Sequence, residues 1–103
     1  MPYAWIIDID HNPDPTAKPG TNSNAAGLTG PRRATDDLIA RLQAGEGRKF
    51  RMFDDDGGLT YSGRLVGDAD SQDGFGPLDD FGMPNAGCTY IQYLSDAGKY
   101  ETL

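Results

Sequence analysis

The sequence predicts an α+β domain: a mostly antiparallel sheet of about five strands, one short helix on a face, and long irregular loops. Three observations predict it. Apolar and polar residues alternate in four separate runs, the pattern of strands with one face toward a core and one toward water. A single short stretch carries helical spacing with a cap at each end. Gly and Pro together make up 21 of 103 residues and gather between those elements. A chain of this length is one domain, residues 1–103, with one modest core.

The first run is Tyr3-Ala4-Trp5-Ile6-Ile7-Asp8-Ile9, which places Tyr3, Trp5, Ile7 and Ile9 on one face of a half-buried strand. Residues 10–30 are rich in Asn, Pro, Gly, Thr and Ser, with almost no apolar residue before Leu28. They read as a long irregular loop, a feature uncommon in a small domain unless functional or mobile. Thr35 is a helix N-cap, and Asp36 and Asp37 suit the positive end of the helix dipole. Leu38, Ile39 and Leu42 form the apolar stripe and Gly45 the stop. A helix this short is marginal alone and must pack on the sheet.

From Lys49 the period becomes two, with Phe50 and Met52 on one face and Lys49, Arg51 and Phe53 on the other. Asp54-Asp55-Asp56-Gly57-Gly58 separates this run from a second one carrying Leu59, Tyr61 and Leu65. An Asp-Gly step between alternating runs signals a hairpin, because Gly accepts positive φ without steric cost. Residues 68–87 hold Phe75, Leu78, Phe81 and Met83 among Gly, Asp and Pro. Such a loop is packed down by its apolar residues as an Ω-like layer. Cys88 to Leu94 reads as a further strand, turned by Ser95-Asp96-Ala97-Gly98 into a short last one over Lys99 to Thr102.

Charge is distributed very unevenly. Residues 54–88 hold eight carboxylates (Asp54, Asp55, Asp56, Asp68, Asp70, Asp73, Asp79, Asp80) against one base, Arg64, while the remaining 68 residues balance. The formal net charge of −7 therefore belongs to one third of the chain. Fourteen of the sixteen acids are Asp, which favours turns and caps over helix surfaces. A net negative chain with no basic patch in its sequence does not favour direct nucleic-acid or anionic-membrane binding. No apolar run approaches the roughly 18 residues of a membrane span. Met1-Pro2-Tyr3 lacks the basic start of a signal peptide. A lone cysteine, Cys88, precludes an internal disulfide and fits a reducing cytoplasm.

Candidate chemistry follows from these residues. Asp8-Ile9-Asp10 after an apolar strand resembles the D-x-D that opens haloacid-dehalogenase-type phosphatases. Those enzymes need a parallel doubly wound sheet and more chain than is present, so the pair reads as a strand end breaking into a polar loop. An EF-hand loop requires Gly at its sixth position and a bidentate acid at its twelfth. From Asp8 these fall on Pro13 and Pro19; from Asp68 they fall on Asp73 and Asp79, with the glycine one residue late. The alternative is a non-EF calcium or metal cage of Asp68, Asp70, Asp73 and Asp79, set against a solvated loop whose Asp side chains cap their own backbone. One His (His11), one Cys and no C-x-x-C or P-loop offer no catalytic constellation and no cofactor site.

The acidic stretch reads best as a binding face. Asp54, Asp55 and Asp56 sit at a hairpin tip; Asp68, Asp70 and Asp73 follow, and Phe75, Asp79, Asp80 and Phe81 mix acids with aromatic anchors. Such a surface suits a basic-faced protein partner, since complementary potentials speed encounter and reject like-charged competitors. Spaced carboxylates also imitate nucleic-acid phosphates, which carry one charge per about 1.7 Å of duplex axis.

Phe50-Arg51-Met52, Asp54-Asp55-Asp56-Gly57, Tyr61-x-Gly63, Gly67 and Phe75-x-Pro77-Leu78-Asp79-Asp80-Phe81-Gly82-x-Pro84-Asn85-Ala86-Gly87-Cys88-Thr89 together resemble small uncharacterised acidic proteins of actinobacteria and their phages. Trp5 and Gly27-Leu28-Thr29-Gly30-Pro31 extend the resemblance over most of the chain. It implies a context, that of a phage or mobile element in which a host-directed inhibitor is expected, and no catalytic residue. The expectation is a non-enzymatic protein-binding module acting through residues 54–82. Its alternatives are a metal-binding loop and a soluble domain whose acidity serves solubility alone.

Overall fold

The computed structural model describes residues 2–103. It is an α+β fold whose six strands form one antiparallel sheet in the order β2-β1-β4-β3-β5-β6. The strands are β1 (Ala4–Asp10), β2 (Thr29–Gly30), β3 (Arg48–Phe53), β4 (Leu59–Val66), β5 (Tyr90–Leu94) and β6 (Tyr100–Thr102), with α1 at Asp36–Gln43. The strand beyond the five expected is β2, a two-residue edge that pairs Gly30 with Trp5 and Thr29 with Ile6. It lies inside the stretch that reads as loop because its own residues carry no alternation. The pairing instead depends on Gly30, where a Cβ would overlap the Trp5 indole.

The sheet buries its two faces by different means. Tyr3, Trp5, Ile7, Phe50, Met52, Tyr61, Leu65, Ile91 and Tyr93 form the larger cluster on one face, together with Leu78, Phe81 and Cys88. Gly63 belongs to this face: a Cβ there would overlap the Ile6 carbonyl and meet the Phe50 ring at 2.7 Å. Ala4, Ile6 and Val66 on the other face pack against Leu42, Leu38 and Ile39 of α1. Thr35 caps that helix as its sequence predicts, its hydroxyl accepting from the Leu38 N–H at 3.4 Å.

Arg64 ties helix to sheet. Its Nη1 donates to the carbonyls of Leu42 and Glu46 at 2.9 and 2.8 Å, and its Nε and Nη2 grip both Asp8 oxygens at 2.9 Å. A cation at the C-terminal end of α1 also complements the helix dipole.

One residue of the first strand departs from its alternation. The register of β1 against β4 shifts between Ile7 and Ile9, so Ile7 faces Gly63 but Ile9 faces Ser62. A bulge inserts one residue and reverses the facing of everything after it. Ile9 therefore leaves the core side and stands 51% exposed.

The layer over the larger cluster is the segment between β4 and β5, packed as its apolar residues predict. A 3₁₀ turn spans Gln72–Phe75, a wider turn Leu78–Gly82, and a one-turn helix, α2, Met83–Ala86. Gly87, at φ 68°, ends α2 by donating to the Met83 carbonyl. Leu78 and Phe81 are buried, whereas Phe75 and Met83 stay 38% and 50% exposed. Phe81 sits between Trp5 and Tyr61, with ring centroids 5.5 and 5.1 Å away. A layer without a ladder needs specific pins, and side-chain hydrogen bonds supply them. The Tyr93 hydroxyl donates to the Gly74 carbonyl at 2.8 Å, Asn85 donates to the Tyr61 hydroxyl at 2.7 Å, and Asp80 accepts from Tyr3 at 2.7 Å.

Candidate binding surface

The β3–β4 hairpin tip is shaped by the first of its own acids. One oxygen of Asp54 accepts the N–H groups of Asp56 and Gly58 at 3.0 and 2.7 Å, while the backbone closes from Asp54 N–H to the Gly58 carbonyl. Gly57 supplies the positive φ, 78°, that the reversal requires. Asp54 is thus half-buried and engaged, and Asp55 and Asp56 project into solvent. Asp10 lies at the same end of the sheet, because Tyr61 pairs with both Asp10 and Met52.

Asp68, Asp70 and Asp73 lie at the opposite end. The eight residues of β4 separate them from the tip, a distance of about 25 Å at strand rise. Asp68 accepts the Asp70 N–H at 3.0 Å, capping its own turn. Asp70 stands 3.8 Å from Arg48, which also reaches Asp96 at 3.8 Å. The acidic stretch is therefore two separate negative regions and not one continuous face. Among the described residues, no group of three or more His, Cys, Asp or Glu side chains could hold a metal ion, so the cage of Asp68, Asp70, Asp73 and Asp79 does not assemble.

Asp79 and Asp80 are neighbours with different fates. Both are exposed, but Asp80 accepts from the Tyr3 hydroxyl at 2.7 Å and the Trp5 indole N–H at 3.1 Å, whereas Asp79 makes no such bond. Burial, then the hydrogen bond and charge of Asp80, push the Tyr3 phenol up to about 12. Arg33 sits 5.5 Å from the Tyr3 ring centre, at one side of a cleft of about 420 Å³ lined by Trp5, Pro31, Arg32 and Asp80. Phe81, expected as a partner-facing anchor, is instead a core residue at 8% exposure. Phe75 is the aromatic of that segment left at the surface.

Neither of the two residues with nucleophile or base chemistry lines this cleft. Cys88 is fully buried, and burial pushes its thiol up, against a smaller lowering by a hydrogen bond with Thr60. A buried thiol of raised pKa is inert. His11 instead meets Ser62, Nε2 to Oγ 2.7 Å, on the exposed side of the sheet. The alternation of β4 puts Ser62 on that side, but nothing in the loop sequence places His11 beside it. Among the described residues, no helix is long and apolar enough to cross a membrane. Comparison of the chain with protein-family models, with curated proteins and with solved structures finds no match.

Proposed function

We propose that the protein is a non-enzymatic binding module that engages a basic-faced protein through the acidic hairpin tip within residues 54–82. The observation that supports this reading most is the division of labour within the tip. Asp54 fixes the turn, which leaves Asp55 and Asp56 exposed on a preformed support, with no cationic side chain within 4 Å among the described residues. Preorganised charge loses little conformational entropy on binding. A nucleic-acid-binding protein is a partner of fitting chemistry, since its basic groove accepts carboxylates where phosphates would lie. Blocking that groove is then the action of the module.

The test is capture from nuclease-treated bacterial lysate at low salt, with wild type and Asp55→Asn/Asp56→Asn side by side. A band that elutes with salt and disappears in the double variant supports the reading. Asp54 is left intact because its loss would unmake the turn. Capture unchanged by the double variant refutes a role for the tip.

A further inference from the structure

The face of the sheet that carries α1 is only partly covered. The helix packs over β1 and β4, and the side chains of β3, β5 and β6 beyond it remain open. Residues two apart on a strand share a face, so Lys49 and Arg51 both stand here, about 7 Å apart at strand rise. Register puts Ser62 directly opposite Arg51 and Ile9 opposite Ser62. Leu94 pairs with Tyr100, and the Arg51 guanidinium lies 3.8 Å from the centre of the Tyr100 ring.

Lys49, Arg51, Ser62, Ile9 and Tyr100 line a cleft of about 330 Å³ with His11, Leu59 and Asp8, within the size range of small-ligand sites. Its charge is opposite to that of the protein. Asp8 is its one carboxylate, and both oxygens are held by Arg64 at 2.9 Å. Neither Lys49 nor Arg51 has a carboxylate within 4 Å among the described residues. The cleft thus offers two unneutralised cations, Arg51 held over the Tyr100 ring and Lys49 exposed beside it, with the Ser62 and His11 polar groups and an apolar wall from Ile9 and Leu59.

We propose that this cleft binds a small phosphate monoester carried on an apolar or aromatic body. Two cations match the −1.5 to −2 charge of a phosphate monoester near neutral pH, roughly, better than the single charge of a carboxylate. Arg gives its oxygens a planar fork and Lys a point charge. Ile9, which the bulge sends out of the core, and Leu59 give the apolar body a surface. A polyanion such as single-stranded nucleic acid fits less well, because Asp55 and Asp56 at one end of the sheet and Asp96 at the other would repel its continuation.

Titration of the isotope-labelled full chain with phenyl phosphate, followed by amide chemical shifts, tests the assignment. Saturable shifts centred on Lys49, Arg51, Ser62 and Tyr100 are expected, with benzoate and inorganic phosphate binding more weakly. Lys49→Gln and Arg51→Gln should each weaken phenyl phosphate about tenfold, the effect of one charge-assisted hydrogen bond. Lys49→Gln keeps the test decisive if loss of the Arg51–Tyr100 contact disturbs the strand. Asp55→Asn/Asp56→Asn should bind phenyl phosphate as wild type does, so that this site and the acidic tip stand or fall separately. Absence of saturable shifts, or shifts that survive both glutamine variants, overturns the proposal. Benzoate binding as tightly as phenyl phosphate overturns the choice of phosphate, and inorganic phosphate doing so overturns the apolar body. Tighter binding of a short oligothymidylate overturns the choice of a small ligand.

Discussion

The two faces of the sheet solve the same problem with opposite materials. One is closed by an irregular layer, residues 68–88, held by aromatic packing and a few pinned polar groups. The other is closed by a regular helix that reaches only β1 and β4, which leaves Lys49, Arg51 and Tyr100 open. A helix satisfies its own backbone and needs only an apolar stripe. An irregular layer must find partners for its backbone and side chains one at a time. Acids that look equivalent in sequence are used in structure where a donor meets them, as at Asp54, Asp68 and Asp80, and stay available where none does, as at Asp55, Asp56 and Asp79.

The sharpest way to break this comparison is to empty the covered face. Phe81→Ala should cost about 3–5 kcal/mol, the range for a buried aromatic truncated to Ala, whereas Ile9→Ala on the open face should stay within about 0.5 kcal/mol. Urea unfolding of the two variants measures the contrast; similar losses would mean that the open face is packed as tightly as the covered one. Gly63→Ala should cost about 1–3 kcal/mol through overpacking, because its new methyl would overlap the Ile6 carbonyl and press on the Phe50 ring. A neutral result in the same unfolding assay would show that β1 and β4 can separate slightly without loss.

The covered face also carries a pH signature. The Tyr3 phenol is raised from 10.0 to about 12 in the folded chain, so the folded state holds its proton more tightly than the unfolded one. The stability this contributes is complete below pH about 10 and is lost as pH rises toward about 12. Tyr93, raised further by burial, acts in the same direction. Tyr3→Phe should therefore flatten the alkaline decline between those pH values, measured as unfolding free energy against pH. An identical decline in the variant would remove Tyr3 from the account.

Much of this fold is legible in the sequence for a physical reason. The strands announce themselves because one face of each meets a core, and α1 does so through Thr35 and its Leu38, Ile39 and Leu42 stripe. The packed character of residues 68–87 is legible from Leu78 and Phe81. What is not legible depends on partners distant in the chain. Edge strand β2 exists because Gly30 accommodates Trp5, and Ile9 leaves the core because of a bulge that alternation conceals. The acids behave likewise. Sequence shows that Asp54, Asp55, Asp56, Asp68, Asp70, Asp73, Asp79 and Asp80 are close along the chain, but an eight-residue strand sends them to opposite ends. The open cationic face was half legible, since the alternation of β3 already places Lys49 and Arg51 together. That Ser62, His11 and Tyr100 join them is a matter of register.

The central claim, that neighbouring acids of one stretch have been divided between structure and surface, is tested most directly at Asp79 and Asp80. The unfolding free energies of Asp80→Ala and Asp79→Ala should be compared under identical conditions. Asp80 accepts two hydrogen bonds, from Tyr3 and Trp5, and its loss should cost about 1–3 kcal/mol by stranding those donors. Asp79 accepts none that the structure shows, and its replacement should stay within about 0.5 kcal/mol. Equal effects, in either direction, would contradict the division.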